Sequence, residues 1–565
     1  MYEPLQSPDH IRLLKIIPSQ DDTRNIEISI IPTPLQTAPQ YEAISYTWGD
    51  ATQLGSVTCQ PGGVLVQVTQ NCISILRRLR QPQKERLVWI DAICINQQNI
   101  PERNAQVAVM GRIYASANRV VIDIGESSES GEQALHYLKN CEETVLYEFV
   151  LGLKIKDTVC NLYERPWFWR IWVLQEAFMA RDAVVMCGRT VVPWSAFRPF
   201  RIWVDARPAG ETENYHVALP HTVPQTLVIG NCSQRSYRAE SDLLRLLVTG
   251  RICRATDSRD KVFALLPMLE RVPEELRADY SKSVTQVYVE TAKYILSTSG
   301  LMFLSCIQHH SDQDASNTAE PRLPSWVPDW SQRVMEPWMI GYYRTKPTYY
   351  PLSAGRDKKC VAKVLLGEEG SHRLQVRGRE ADTITHTTGK DIYINSPEHQ
   401  NKQAVDSFFN EFSAYRKQLN NPATLPPPPY WEPRTSETRI HPPDWLAYRV
   451  GLPIERPIQY TDNDLIDKIT HFLGPRQLVL TKRGYLGIVP KNVEVGDVVC
   501  CFLGSGVPHV LRLQQEENKK ESLGRTYKLM GEGYFYGLME GEAFCGIDMS
   551  EDALSGGSLE DLLII

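Results

Sequence analysis

The chain has 565 residues, 42% of them hydrophobic and 23% charged, with 61 Lys and Arg against 67 Asp and Glu. A single core stops growing at roughly 250–300 residues, so this length calls for at least two domains. The composition excludes a disordered chain, a coiled coil or a collagen, and a formal net charge of −6 leaves no electrostatic footprint for nucleic acid or an anionic membrane.

Residues 1–200 alternate between strand-like and helix-like segments. The opening Met1-Tyr2-Glu3-Pro4 carries no basic region followed by an apolar one, so no secretory leader is expected. Residues 26–31, 43–47 and 87–90 are short β-type runs. Over 101–118, Val107, Met110, Ile113, Tyr114 and Ala117 form a helical stripe behind Pro101, a tolerated first-turn residue. Residues 119–125 then read as a buried strand. Strand, helix, strand in this order predicts a parallel α/β sheet flanked by helices.

Residues 201–350 form a mainly helical region, with helices predicted over 241–249, 259–268 and 283–298. Ser241-Asp242 and Ser281-Lys282-Ser283 supply N-caps, and 308–321 is a polar loop. Residues 351–470 are irregular and include a proline-rich insertion, with a tetraproline at 426–429 that reads as an extended linker. A small β domain over 471–550 is expected from the turn signals and β-branched residues of 478–544. No apolar run reaches the roughly 20 residues of a membrane helix. The 13 cysteines show no disulfide framework, so the expected setting is the reducing cytoplasm.

Several chemistries are set aside by spacing. His309-His310 and Cys500-Cys501 are adjacent pairs rather than metal-ligand pairs, and the two cysteines of a strand should divide between core and surface. There is no Gly-x-Ser-x-Gly elbow and no P-loop, and Gly531, Gly533 and Gly537 miss the dinucleotide fingerprint by one residue. No metal and no bound cofactor are expected.

Three clusters remain. In Arg165-Pro166-Trp167-Phe168-Trp169-Arg170-Ile171-Trp172-Val173-Leu174-Gln175-Glu176-Ala177, a helix from Pro166 puts Trp169, Trp172, Val173, Glu176, Ala177 and Ala180 on one face. Glu176 is then a carboxylate in an apolar stripe, where desolvation raises its pKa. The same pattern fits a structural glutamate paired with Arg170 or a backbone amide. In Trp89-Ile90-Asp91-Ala92-Ile93-Cys94-Ile95-Asn96-Gln97, Asp91 ends an apolar strand, where a parallel sheet presents groups to a ligand; a turn or cap role fits equally. Tyr41-Glu42-Ala43-Ile44-Ser45-Tyr46-Thr47-Trp48-Gly49 is a strand running into a glycine turn and by itself shows no chemistry.

Together these clusters, with Gln106-Val107-x-x-Met110-x-x-Ile113-Tyr114-x-x-Ala117 between them, resemble the fungal heterokaryon-incompatibility (HET) domain. Asp123-Ile124-Gly125 departs from the family's usual Trp-Leu-Gly, which puts the packing of that strand in question. Resemblance continues through Asp257-Ser258-Arg259-Asp260-Lys261, through 323–330 and into the C-terminal region, sparing roughly 385–460. The resemblance implies a cell-death role in non-self recognition after hyphal fusion. It also implies a distant likeness to the Toll/interleukin-receptor (TIR) fold, a flavodoxin-like parallel sheet, and some TIR domains hydrolyse NAD. Trp172 and Glu176 have the spacing of the TIR catalytic helix. On that reading NAD is the substrate, Glu176 is catalytic, and Trp172, Asp91, Trp48 and Asn96 bind the ligand. The partners implied are an incompatibility protein or a second copy of the HET domain. Two alternatives are a non-enzymatic HET interaction module that recruits a death effector, and a regulatory protein that keeps the domain without toxicity.

Overall fold

A computed structural model describes residues 2–140, 158, 161–197, 243–307, 323–332, 360–367, 371–387, 414, 476–514, 525–535, 537–539, 541–544 and 559–565. They divide into two compact units, Met1–Val287 with Trp330–Met335, and Tyr288–Asp329 with Glu336–Ile565.

In the first unit the strands are β1 (His10–Ile16), β2 (Glu27–Pro34), β3 (Glu42–Ser45), β4 (Leu54–Gln60), β5 (Val64–Thr69), β6 (Arg86–Trp89), β7 (Arg119–Asp123), β8 (Ala183–Cys187) and β9 (Thr190–Pro193). Their spatial order is β5-β4-β2-β1-β6-β3-β7-β8-β9. The contiguous block β6-β3-β7-β8 is parallel, and within it the strands lie second, first, third, fourth in chain order. Val120, Val121 and Ile122 of β7 are buried, as expected where a central parallel strand is covered on both faces. The whole sheet is nevertheless mixed. β1 pairs antiparallel with β2 and β6, the hairpin β4–β5 forms one end of the sheet, and β9 pairs antiparallel with β8, in a second hairpin, at the other. The few residues joining the strands of each hairpin are far too few for a parallel crossover, which needs a dozen or more.

The helix Ile100–Ser116 starts where the Asn99 side chain accepts the Glu102 N–H at 3.1 Å, with Pro101 in its first turn. It packs on the helix Val173–Met179. At Gly111 an added Cβ would lie 2.7 Å from the Pro267 Cβ, so the close approach there requires glycine.

The single helix predicted from Pro166 is divided. Pro166–Trp169 is a 3-10 turn, Arg170 is extended (φ −79°, ψ 141°), and the α-helix runs over Val173–Met179. A bridge to Arg254 causes the break: the Arg254 N–H donates to the Trp169 carbonyl, and the Ile171 N–H to the Arg254 carbonyl at 2.9 Å. Trp169 therefore belongs to the first turn, with its indole N–H on the Tyr163 carbonyl at 2.8 Å.

Further along lie the helices Leu243–Gly250, Asp260–Phe263 and Val284–Ser299. The segment predicted as one helix over 259–268 is Asp260–Phe263 followed by a 3-10 turn, Leu266–Met268, because Pro267 has no N–H with which to continue an α-helix. Ser283 and Gln286 form a reciprocal capping box at the head of Val284–Ser299. The cap at Ser241-Asp242, the loop 308–321 and the tetraproline lie outside the described residues.

The second unit carries β10 (Ala362–Leu366), β11 (His372–Thr387), β12 (Arg476–Thr481), β13 (Leu486–Pro490), β14 (Val498–Phe502), β15 (His509–Leu513), β16 (Thr526–Glu532), β17 (Tyr534–Phe535) and β18 (Glu560–Ile564). The pairings β11–β14, β14–β15, β15–β16, β16–β18 and β18–β11 close into a ring. Closure leaves those strands no free edge. The long β11 serves two sets of neighbours through its register shifts at Glu380/Asp382 and Ile384/His386. The sheet thus extends beyond 478–544 at both ends. Cys500 and Cys501 are both buried, because β14 is covered on its two faces, and the expected split between core and surface does not occur.

Candidate active site at the carboxyl ends of the parallel strands

β3 ends on a polar residue in an apolar setting. The Ser45 hydroxyl donates to Oε2 of Glu176 and accepts the Trp167 indole N–H at 2.8 Å. Glu176 is 2% exposed, in the first turn of Val173–Met179. Tyr114, whose hydroxyl donates to the Ile44 carbonyl at 3.2 Å, lies within reach of its charge.

Asp91 lies two residues past Trp89, the end of β6, and opens the short helix Asp91–Cys94. Its Oδ1 accepts the Ala92 N–H at 2.7 Å and its Oδ2 the Trp48 indole N–H at 2.9 Å. Trp48 is 37% exposed, just past the end of β3. The turn there depends on Gly49, with φ +78° and a would-be Cβ only 2.6 Å from Nδ2 of Asn71. Arg170 reaches across to β3, where its Nη1 donates to the Tyr46 carbonyl.

Burial pushes the Glu176 carboxyl up to about 7; the Arg170 charge and the Ser45 hydrogen bond pull the other way, and Asp91 adds to the rise. Burial also raises Asp91, against Arg170 and the Trp48 N–H. Two acids thus face one guanidinium, and near neutral pH the pair carries less than two full negative charges. A carboxyl poised near 7 is suited to exchange a proton with water or substrate.

The structure brings Glu176, Asp91 and Trp48 into one group. It gives the other two sequence-predicted residues different partners. The Trp172 indole N–H donates to Oδ2 of Asp260 at 2.9 Å, and Asp260 also accepts the Tyr280 hydroxyl at 2.6 Å. The Asn96 backbone N–H donates to Oε1 of Glu102 at 2.8 Å, beside the Arg12–Glu102 ion pair. Ser45 and Asp260 escaped the sequence reading as site residues. The available signals were a hydroxyl at the end of a buried strand and an acid in the charge-rich stretch Asp257-Ser258-Arg259-Asp260-Lys261.

Asp123, where the sequence departs from Trp-Leu-Gly, keeps its strand in register with β3 and β8. Its carboxylate is held by Arg78 at 2.8 Å. Among the described residues no group of three or more His, Cys, Asp or Glu is arranged to hold a metal ion, and no helix is long and apolar enough to cross a membrane.

Residues 41–176 match the family model of the heterokaryon incompatibility protein (HET), and residues 462–550 that of the Het-6 beta-barrel domain. The chain carries a HET domain. It is 26% identical to the Neurospora crassa heterokaryon incompatibility protein 6, OR allele, over 94% of each chain. No solved structure matches. The HET match opens at Tyr41, just before β3, and closes on Glu176, so it encloses Ser45, Trp48, Asp91 and Arg170. Asp260 lies beyond the HET match, while the second match covers much of the C-terminal sheet.

Proposed function

We propose that this chain is an incompatibility protein acting in the cytoplasm, and that its HET domain hydrolyses NAD with Glu176 as the catalytic carboxylate. The observation that carries this reading is the place of Glu176. It is buried against the end of β3, in a parallel block whose second-first-third-fourth order supports the flavodoxin-like, TIR-like reading. Chain order reverses between β3 and β7, and open α/β sheets bind ligands at such a switch point, outside the strand ends.

In the reaction, Glu176 accepts hydroxyls of the nicotinamide ribose. The bond from the ribose to the nicotinamide nitrogen breaks, its electron pair leaves with nicotinamide, and the carboxylate charge favours the oxocarbenium-like transition state. Water then adds to the ribose carbon and gives up its proton to Glu176 or to solvent. Asp91 and Trp48 line the mouth of the site. Trp172 contributes a ring face, its N–H being committed to Asp260, and Asn96 contributes its side-chain amide.

The 565-residue chain, assayed at high local concentration, should release nicotinamide from NAD, and Glu176→Gln should not. Turnover by the variant equal to wild type would remove Glu176 from the mechanism.

One observation favours the rival reading, a non-enzymatic module that acts by self-association or by recruiting a partner protein. Glu176 is nearly sealed and satisfied by Ser45, as a structural carboxylate would be. On that reading Glu176→Gln abolishes toxicity only by lowering stability, so a thermal melt beside the toxicity assay separates the two.

A further inference from the structure

Arg170 is the incompletely used cation of this site. Its backbone is clamped by the bridge to Arg254, which fixes where the side chain starts. Its one hydrogen bond to a described residue goes to the Tyr46 carbonyl, and no described carboxylate lies within ion-pair distance of it. Several other arginines of the same unit have ion-pair partners or several acceptors. Arg78 holds Asp123 and Glu126, Arg165 holds the Ile124 and Glu126 carbonyls and the Ser128 hydroxyl, and Arg12 holds Glu102. A guanidinium has five donors in a planar fork that matches phosphate oxygens two at a time. Arg170 is only half-buried, so this fork has a route to a ligand.

The two acids that sense Arg170 do so at a distance, through charge alone. Arg170 and Glu176 are bonded to adjacent residues at the end of β3, Tyr46 and Ser45, so an anion held by Arg170 would sit on the Glu176 side of the strand end. With the nicotinamide ribose at Glu176, the phosphate on that ribose is the nearest anionic group of NAD.

We propose that Arg170 is the anion anchor of the HET-domain site and takes the phosphate attached to the nicotinamide ribose; this rests on the reading that the ligand is NAD.

The test compares NAD, nicotinamide mononucleotide and nicotinamide riboside as substrates of the full chain, for wild type, Arg170→Gln and Arg170→Lys, with thermal melts of all three. Loss of a charge-assisted Arg–phosphate contact is worth about ten- to hundredfold. In Arg170→Gln the loss in kcat/KM on NAD and the mononucleotide should exceed the loss on the riboside by that factor. Arg170→Lys, which keeps the charge but not the fork, should fall between. Equal losses on all three substrates, or no preference for phosphate in wild type, would overturn the anchor and leave the NAD reading standing.

If wild type cleaves none of them, the hydrolase reading fails, and titration with ADP-ribose decides the anchor separately. Binding weakened at least tenfold in Arg170→Gln supports it. Absence of binding at millimolar ADP-ribose, or equal binding by both proteins, overturns it.

Discussion

Each compact unit buries a glutamate that is pushed up to about 7, and the two glutamates are compensated in opposite ways. Glu532, 1% exposed, faces a dedicated cation: Arg476 donates from Nη2 to Oε1 at 2.9 Å and from Nη1 to the Glu532 carbonyl at 3.0 Å. Both members of that pair are sealed. Glu176 is met by a hydroxyl instead, and its positive neighbour Arg170 is half-buried and spends its contact on a carbonyl. Burial and a raised pKa are common to both, so neither distinguishes a site from a strut. What differs is whether the compensating cation touches the carboxylate and whether that cation reaches solvent.

The largest test of this contrast is removal of each arginine. Breaking a buried pair leaves an uncompensated charge and costs about 3–5 kcal/mol, so Arg476→Ala should strip hydrogen-exchange protection from β12, β15 and β16. Arg170→Gln should cost about 1 kcal/mol, the worth of one net hydrogen bond. Equal costs would erase the distinction.

The next effect lies in pH. The folded Glu176 carboxyl ionises at about 7 against an ordinary 4.5. Between these values the folded chain holds a proton that the unfolded chain has released, so stability falls as pH rises through the window. The loss is on the order of 3 kcal/mol, and Glu176→Gln should remove that part of the slope in urea melts at pH 5 and 8. His509 in the second unit has the opposite sign. It is buried, stacked on Phe502 with ring centroids 4.9 Å apart and bonded to the Ser505 hydroxyl at 2.9 Å, and burial pushes it down to about 3 from 6.5. Below 6.5 the unfolded chain binds the extra proton, so stability falls with falling pH, by about 2 kcal/mol between pH 6.5 and 5. His509→Asn should flatten that acid limb. Finding the two variants to change the slope in the same direction would show that the charges are not placed as described.

The smallest effect is local. Ser45→Ala strands the Trp167 N–H and deprives Glu176 of its donor, costing about 1–2 kcal/mol. It should move the Glu176 ionisation further up, readable as an alkaline shift of any activity profile.

The strands β3, β6 and β7 were legible because each is a run of mostly apolar residues whose character does not depend on distant partners. β1 was not, because Arg12 interrupts its apolar run. Arg12 is buried against Glu102, 90 residues away, and no local pattern announces that pair. The helix predicted from Pro166 failed for a similar reason, since its break is imposed by Arg254. Asp91 and Glu176 could be named from position alone, Asp91 at a strand end and Glu176 in an apolar stripe. Ser45 was not assigned as a partner, and Arg170, a candidate ion-pair partner of Glu176 by sequence, instead donates to the Tyr46 carbonyl, because a hydroxyl or a guanidinium takes its meaning from what stands opposite.

The sequence by itself determined the HET-domain blocks, the parallel strands at the heart of the first unit and the two acids at their edge, because apolar periodicity and strand ends are local properties of the chain. Only the tertiary structure decided that Ser45, Trp167 and Glu176 meet, that Trp172 turns to Asp260, and that Arg170 keeps part of its fork in reserve. Those outcomes depend on segments far apart in the chain arriving at one point, and on how much water and charge they leave there.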